Sequence, residues 1–295
     1  TSIPTTDRTI YVRLQNATTS CFATTSFELK VLALPVINNS IILKQCDTDN
    51  DAITDFNLTE ANSILSNQTT NTYTYHTSLL GAQNNSNLIT NELSYTAPNG
   101  SQVWARIVNT EGCSRTALVN LVVSTTTIPQ NHKFTIAACD DYLSVADPAN
   151  DGYAYFNLDN PDVTQNAIQN LLSFFSASQP LIVAFYENES DALAELNAIV
   201  DITNYRNITP NSQIIWARID SDLNNECFGV GPFIQLTVNP LPTVSLGPDF
   251  VICVDPITGL GSQVVDATPT ATGNYSYQWT PTYPAGNVPT FEITT

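Results

Sequence analysis

The sequence predicts an all-β chain built as a row of tandem two-sheet sandwiches, on three observations. One strand recurs three times, as IYVRL (Ile10 to Leu14), VWARI (Val103 to Ile107) and IWARI (Ile215 to Ile219). Two cysteine ladders advance in step with it: Cys21, Cys113 and Cys227, separated by 92 and 114 residues, and Cys46, Cys139 and Cys253, separated by 93 and 114. Apolar and polar residues alternate over short runs bounded by turn residues, as in Thr116 to Val123 and Phe233 to Val238, which is the periodicity of strands. Repeats of this length made of many short strands fit immunoglobulin-like β-sandwich domains in an elongated array.

Taken in order, the units end at Pro-marked connectors that follow an apolar strand: LKVLALP at Pro35, LVVSTTTIP at Pro129 and LTVNPLP at Pro242. Residues 1–35 read as the C-terminal part of one repeat, 36–129 as a complete repeat, 130–242 as a second with insertions, and 243–295 as the start of another. The insertions fall at Asp140 to Gly152 and around Leu171 to Pro180. Helical pattern is confined to Asn160 to Leu172, with Pro161 at a first helical position, and Ser190 to Ile199, with Ser190 as cap. Trp104 and Trp216, mid-strand, are expected to anchor the packing between sheets. Arg106 and Arg218, two residues on, share their face, either covering the sheet with their methylene stems or pairing with an acidic neighbour.

Charge narrows the function. Nine basic against 27 acidic residues give −18, with only 12% of residues charged and no Lys/Arg cluster. Such a chain lacks the footprint for nucleic acid or for an anionic membrane. No apolar run reaches the roughly 18 to 20 residues that span a bilayer, so no membrane insertion is expected. The absence of any Met reads as an internal or processed segment of a longer chain.

Six cysteines with two histidines, His76 and His132, and no metal-ligand spacing read as disulfides, which places the chain in an oxidising, extracellular compartment. Two regular pairings are open. One joins Cys21 to Cys46, Cys113 to Cys139 and Cys227 to Cys253. The other joins Cys46 to Cys113 and Cys139 to Cys227, leaving Cys21 and Cys253 for partners beyond the segment. The second is preferred: the first must close paths of 25 or 26 residues, up to roughly 80 Å when extended.

After Cys46 the run Asp47, Asp49, Asp51, with Asp55 four further on, places alternate carboxylates on one side of a loop. After Cys139 come Asp140, Asp141, Asp147 and Asp151. Calcium, which takes six to eight hard oxygen ligands, is the cofactor such loops suit. The glycine at position six and glutamate at position twelve of an EF-hand are absent. No nucleophile elbow, phosphate loop, dinucleotide fingerprint or zinc-protease motif occurs, so the segment is not expected to be an enzyme.

The unit CDxDxD, FNL, WARI, EGC, LVNLVV and Pro, carried by Cys46 to Leu58 with Val103 to Val123 and by Cys139 to Leu158 with Ile215 to Val238, resembles the tandem repeats of very large surface proteins of gliding and marine Bacteroidetes. These are flavobacterial adhesins exported by the type IX secretion system. The resemblance covers Thr1 to Pro242. The tail, Leu246 to Asp255 and Tyr275 to Pro281, is similar to PKD-like repeats of the same proteins, which implies a partner for Cys253 beyond Thr295. Membership implies a cell-surface, adhesive or gliding-associated role, with surface glycans or proteins, sister subunits and the secretion machinery as partners. Two other roles fit tandem β-modules: accessory modules of a secreted polysaccharide-degrading enzyme, or subunits of a surface filament.

Overall fold

A computed structural model describes residues 6–141, 150–223, 226–249, 251–253, 255–258, 261, 264–269 and 273–278. The chain opens on an antiparallel hairpin, β1 (Arg8–Gln15) with β2 (Phe22–Leu29), holding the first copy of the recurring strand. A first complete unit follows: β3 (Ser40–Asp47), β4 (Ile53–Phe56), a 3-10 turn at Leu58–Glu60, α1 (Ala61–Leu65), β5 (Thr72–His76), α2 (Leu79–Asn84), β6 (Tyr95–Pro98), β7 (Gln102–Val108) and β8 (Ser114–Thr125). The second repeats that order: β9 (Phe134–Cys139), β10 (Tyr155–Phe156), a 3-10 turn at Val163–Gln165, α3 (Ala167–Leu172), β11 (Leu181–Tyr186), α4 (Glu189–Ala194), β12 (Tyr205–Arg206), β13 (Ser212–Ser221) and β14 (Cys227–Asn239).

Each unit is an immunoglobulin-like β-sandwich. In the first, a four-stranded sheet in the order β3-β8-β7-β5 faces the pair β4-β6; in the second, β11-β13-β14-β9 faces β10-β12. The first strand of each unit runs parallel to the last, β3 with β8 and β9 with β14, while the other pairings are antiparallel. Alternation sorts the faces: Val103, Ala105 and Ile107 of β7 meet Ala117, Val119 and Leu121 of β8 and Phe56, Leu58 and Leu65 in the first core. Ile215, Ala217 and Ile219 take the corresponding places beside Phe156, Leu158, Leu171 and Phe185 in the second.

The tryptophans therefore do not lie between the sheets. The residues flanking each of them point inward, so Trp104 and Trp216 stand half-buried on the outer face. Both sequence-expected helical segments are helical over shorter spans. α4 begins one residue before Ser190, because Asn188 is the cap, its side chain accepting from Asp191 N; α3 is capped by Asn166. Of the sequence from 243 onward, the described residues hold no strand.

Candidate functional site at the junction of the repeats

The two units are joined by a disulfide between Cys46 and Cys227, S–S 2.05 Å and Cα–Cα 5.5 Å, across 181 residues of sequence. This overturns the expected pairs Cys46–Cys113 and Cys139–Cys227. The physical reason is the parallel pairing of first and last strands. Cys46 lies beside Ser124, at the far end of β8 from Cys113, about 36 Å away at ~3.3 Å per residue. Cys139 lies beside Asn239, about 40 Å along β14 from Cys227. Each cysteine of a repeat thus sits at the opposite end of its sandwich from the other. β14 pairs with β9 only from Ile234 onward, so its first residues overhang the linker and carry Cys227 to Cys46. Cys21, Cys113, Cys139 and Cys253 form no bond within the chain.

A small apolar core surrounds the bond: Tyr186, Ala192, Leu193 and Val230, with Trp216 and Ala184 against them. Polar contacts knit its rim. Gln45 Nε2 donates to Leu193 O at 2.7 Å, Asn57 Nδ2 to Ala194 O at 2.7 Å, and Val230 N to Thr126 Oγ1 at 2.9 Å; Lys44 pairs with Glu226 at 2.8 Å.

At its centre Arg218 is fully buried. Its Nε donates to both carboxylate oxygens of Asp220, each at 2.9 Å, its Nη1 to Gln45 Oε1 of the first repeat at 2.6 Å, and its Nη2 is ion-paired with Glu195. Desolvation opposes the guanidinium charge, but Asp220, Glu195 and Glu60 together raise its pKa above the ordinary value. Glu60 arrives from the first repeat, with Oε1 buried and unbonded. Desolvation, then the charge of Glu195, push its pKa up to about 8. Desolvation also lifts Asp220 to about 6, against the pull of Arg218.

Three carboxyls around one arginine make the junction pH-dependent. The folded pKa values of Glu60 and Asp220 lie above the ordinary carboxylate range. Their stabilisation is therefore fully present below about pH 4 and is lost as pH rises through about 6 and then about 8. The native chain is expected to lose Tm between pH 6 and 8, and Glu60→Gln, which stays neutral, should flatten that fall. The expected difference is roughly 2 kcal/mol, about 4–8 °C. Equal slopes for the two proteins in calorimetric melts would refute the assignment.

Of the expected metal ligands, Asp47, Asp49 and Asp51 come together, with carboxylate oxygens within 4.8 Å of one another. Asp47 is buried and accepts from the N–H groups of Asp49, Asn50 and Ala52, at 3.1, 2.7 and 2.8 Å. Burial works to raise its pKa, but these donors bring it below the usual value. Asp55 is not part of the group: on β4 opposite Thr96, it accepts instead from Ser94 Oγ and Thr96 Oγ1.

In the second loop the carboxylates do not converge among the described residues. Asp140 accepts from Asn150 N and Gly152 N, Asp141 pairs with Arg206 at 2.8 Å, Asp151 accepts from Tyr153 N, and Asp147 lies outside the described residues. The two loops nevertheless share one turn. Asn50 and Ala52 have φ of 63° and 65°, Asn150 and Gly152 66° and 88°. A Cβ at Gly152 would stand 2.7 Å from Asn211 N, so glycine is required there.

Gln45, Glu60 and Glu195 as the surroundings of Arg218 were not found from sequence. One signal was present, the acidic residue that ends IWARID where the first repeat has VWARIV.

The family model of the Flavobacterium inter-domain disulphide bond domain matches residues 42–129 and again 135–242. The chain belongs to this family. The disulfide between Cys46 and Cys227 joins the two matched segments. A search of curated proteins finds no match. Among solved structures, an endo-fucoidan hydrolase from glycoside hydrolase family 107 is similar at 9% identity and TM-score 0.18, over 80% of this chain and 34% of that one. A three-Ig structure of titin domains and an I-band fragment of titin are each similar at 9% identity and TM-score 0.17, over 79% of this chain and 74% of theirs. The chain spans about a third of the length of the hydrolase. No helix among the described residues is long and apolar enough to cross a membrane.

Proposed function

We propose that the chain is a non-catalytic stalk segment of a large secreted adhesin of the cell surface, serving adhesion or gliding. The observation that carries this reading is the covalent junction: a buried disulfide beside a buried ion cluster fixes one repeat against the next. A repeat array stiffened at its joints transmits force and holds a distal binding site away from the cell. A disulfide of this kind persists in an oxidising compartment, in keeping with an extracellular location. Export by the type IX route follows from the resemblance of the repeats. Partners are surface glycans or proteins, or sister subunits.

Mild protease treatment of intact cells, followed by peptide mapping, tests the reading. It is expected to release these repeats from a polypeptide several times longer than 295 residues. A short soluble chain ending in a catalytic domain would instead make them an enzyme's accessory modules.

Calcium belongs to the same proposal. Asp47, Asp49 and Asp51 offer hard oxygen donors with the geometry of a partial shell, which loop carbonyls and water would complete. Millimolar calcium is expected to raise the Tm by several degrees, about 2–4 °C per kcal/mol bound. The double variant Asp47→Asn, Asp49→Asn should abolish the shift. An identical melt in chelator and in calcium would dismiss the site.

A further inference from the structure

We propose that the cleft between the two repeats takes an extended, basic segment of a partner protein, which pairs as an added strand with the free edge of β3. The inference deepens the stalk reading above, on which it rests, by giving a joint of the stalk a protein partner.

The edge is set by the ladder. β3 is the outermost strand of its sheet and runs in unbroken register with β8 from Ser40 to Asp47. Leu118 N donates to Asn39 O at 2.9 Å. In a parallel pair this turns the main-chain groups of Asn39, Ile41, Leu43 and Gln45 toward β8, and those of Ser40, Ile42, Lys44 and Cys46 away from it. At Cys46 the away-facing groups are used: its N–H donates to Gln45 Oε1 at 2.9 Å and its carbonyl accepts from Thr54 Oγ1 at 2.8 Å. At Ile42 and Lys44 they bond to nothing among the described residues.

These groups border a cleft. Ile42 and Lys44 line a space of about 620 Å³, a size that suits a small ligand or a few residues of chain. Its other apolar walls are Ile64 of α1 and, from the second repeat, Ile182 and Leu223. All four of these apolar side chains are exposed. A lysine on an outer strand usually guards it against added strands, but Lys44 is drawn aside to Glu226 at 2.8 Å. The far wall belongs to the second repeat, so only a single strand can enter.

Charge chooses the occupant. Glu60, Asp222 and Glu226 line the cleft against one cation, Lys44. Asp222 is exposed, and Glu60 Oε1 is buried without a hydrogen bond. A segment that alternates apolar and basic residues meets both demands. Its main chain pairs with Ile42 and Lys44, its apolar side chains cover the isoleucines, and its ammonium groups donate to Glu60 and Asp222.

The test is calorimetric titration of the oxidised 295-residue chain with the capped peptide Val-Lys-Val-Lys-Val. It is expected to bind about tenfold more tightly than Val-Glu-Val-Glu-Val, and than the same lysine peptide N-methylated at alternate amides, which keeps the charge and removes the pairing. Ile42→Pro deletes an N–H that the sandwich does not use, and Asp222→Lys reverses a charge at an exposed position; each should weaken binding by about tenfold with the melt unchanged. If the melt of Ile42→Pro falls, Asp222→Lys decides by itself. No binding of the lysine peptide, equal binding of its N-methylated form, or undiminished binding to Asp222→Lys overturns the added strand. Butylamine binding as tightly as the peptide would make the cleft an amine site and overturns it too. None of these results bears on the stalk reading, which the polypeptide released from cells decides.

Discussion

Pulled by its ends, the oxidised chain is expected to release roughly 600 Å less length than the reduced chain, at the reach of an extended backbone. Force entering at the N-terminus runs along β3 to Cys46, crosses the 5.5 Å between the two Cα atoms and leaves along β14 from Cys227. The 181 residues between the cysteines lie outside that path, and at ~3.3–3.6 Å per residue they represent the missing extension. Single-molecule force spectroscopy with and without a thiol reductant measures it directly. Equal contour lengths in the two conditions would mean that the bond does not form in the folded protein. The prediction distinguishes this junction from a disulfide within one sandwich, which would hide at most one repeat.

The second large effect is on stability. Cys227→Ser opens a loop of 181 residues in the unfolded chain, and the chain-entropy relation puts the loss at about 5 kcal/mol. For a unit of this size that corresponds to a fall in Tm of about 10–20 °C. Two features of the site act in the same direction. The introduced hydroxyl would sit in an apolar pocket of Tyr186, Leu193 and Val230, and the Arg218 cluster would lose the tether that keeps water out. Cys113→Ser in this same chain breaks no bond, so its melt should stay within about 1 °C of the parent. A drop of similar size in both variants would show that thiol chemistry in general, and not the junction, sets the stability.

Much of the architecture was legible in sequence because repetition reports it without any knowledge of packing. WARI strands and two cysteine ladders in fixed step disclosed tandem β-sandwiches, and alternation in β8 and β14 located their strands. Three readings failed for one shared reason: pattern says which residues alternate and leaves open which face or end they reach. Trp104 and Trp216 looked like core, yet Val103, Ala105 and Ile107 occupy the inner face of β7, as Ile215, Ala217 and Ile219 do on β13, and leave them outside. Cys46 and Cys113 looked like mates within a repeat, but the parallel pairing of β3 with β8 sends them to opposite ends. Asp55 follows the acidic run in sequence but enters β4, where its neighbours across the ladder claim it. The ion cluster was hidden more deeply, since Gln45, Glu60, Glu195 and Arg218 meet only once two repeats dock.

The separation of Cys46 from Cys227 also dictates an order of events in the life of the chain. The first sandwich can close its own core, yet its cysteine must wait until the hairpin of the next has been made and folded. The wait spans the 181 residues between the two cysteines. During it Cys46 remains a thiol at the growing end of the array, and a chain broken off within the second repeat would keep it so. Oxidation at this position therefore reports completion: a sealed junction certifies that the following unit exists and has folded.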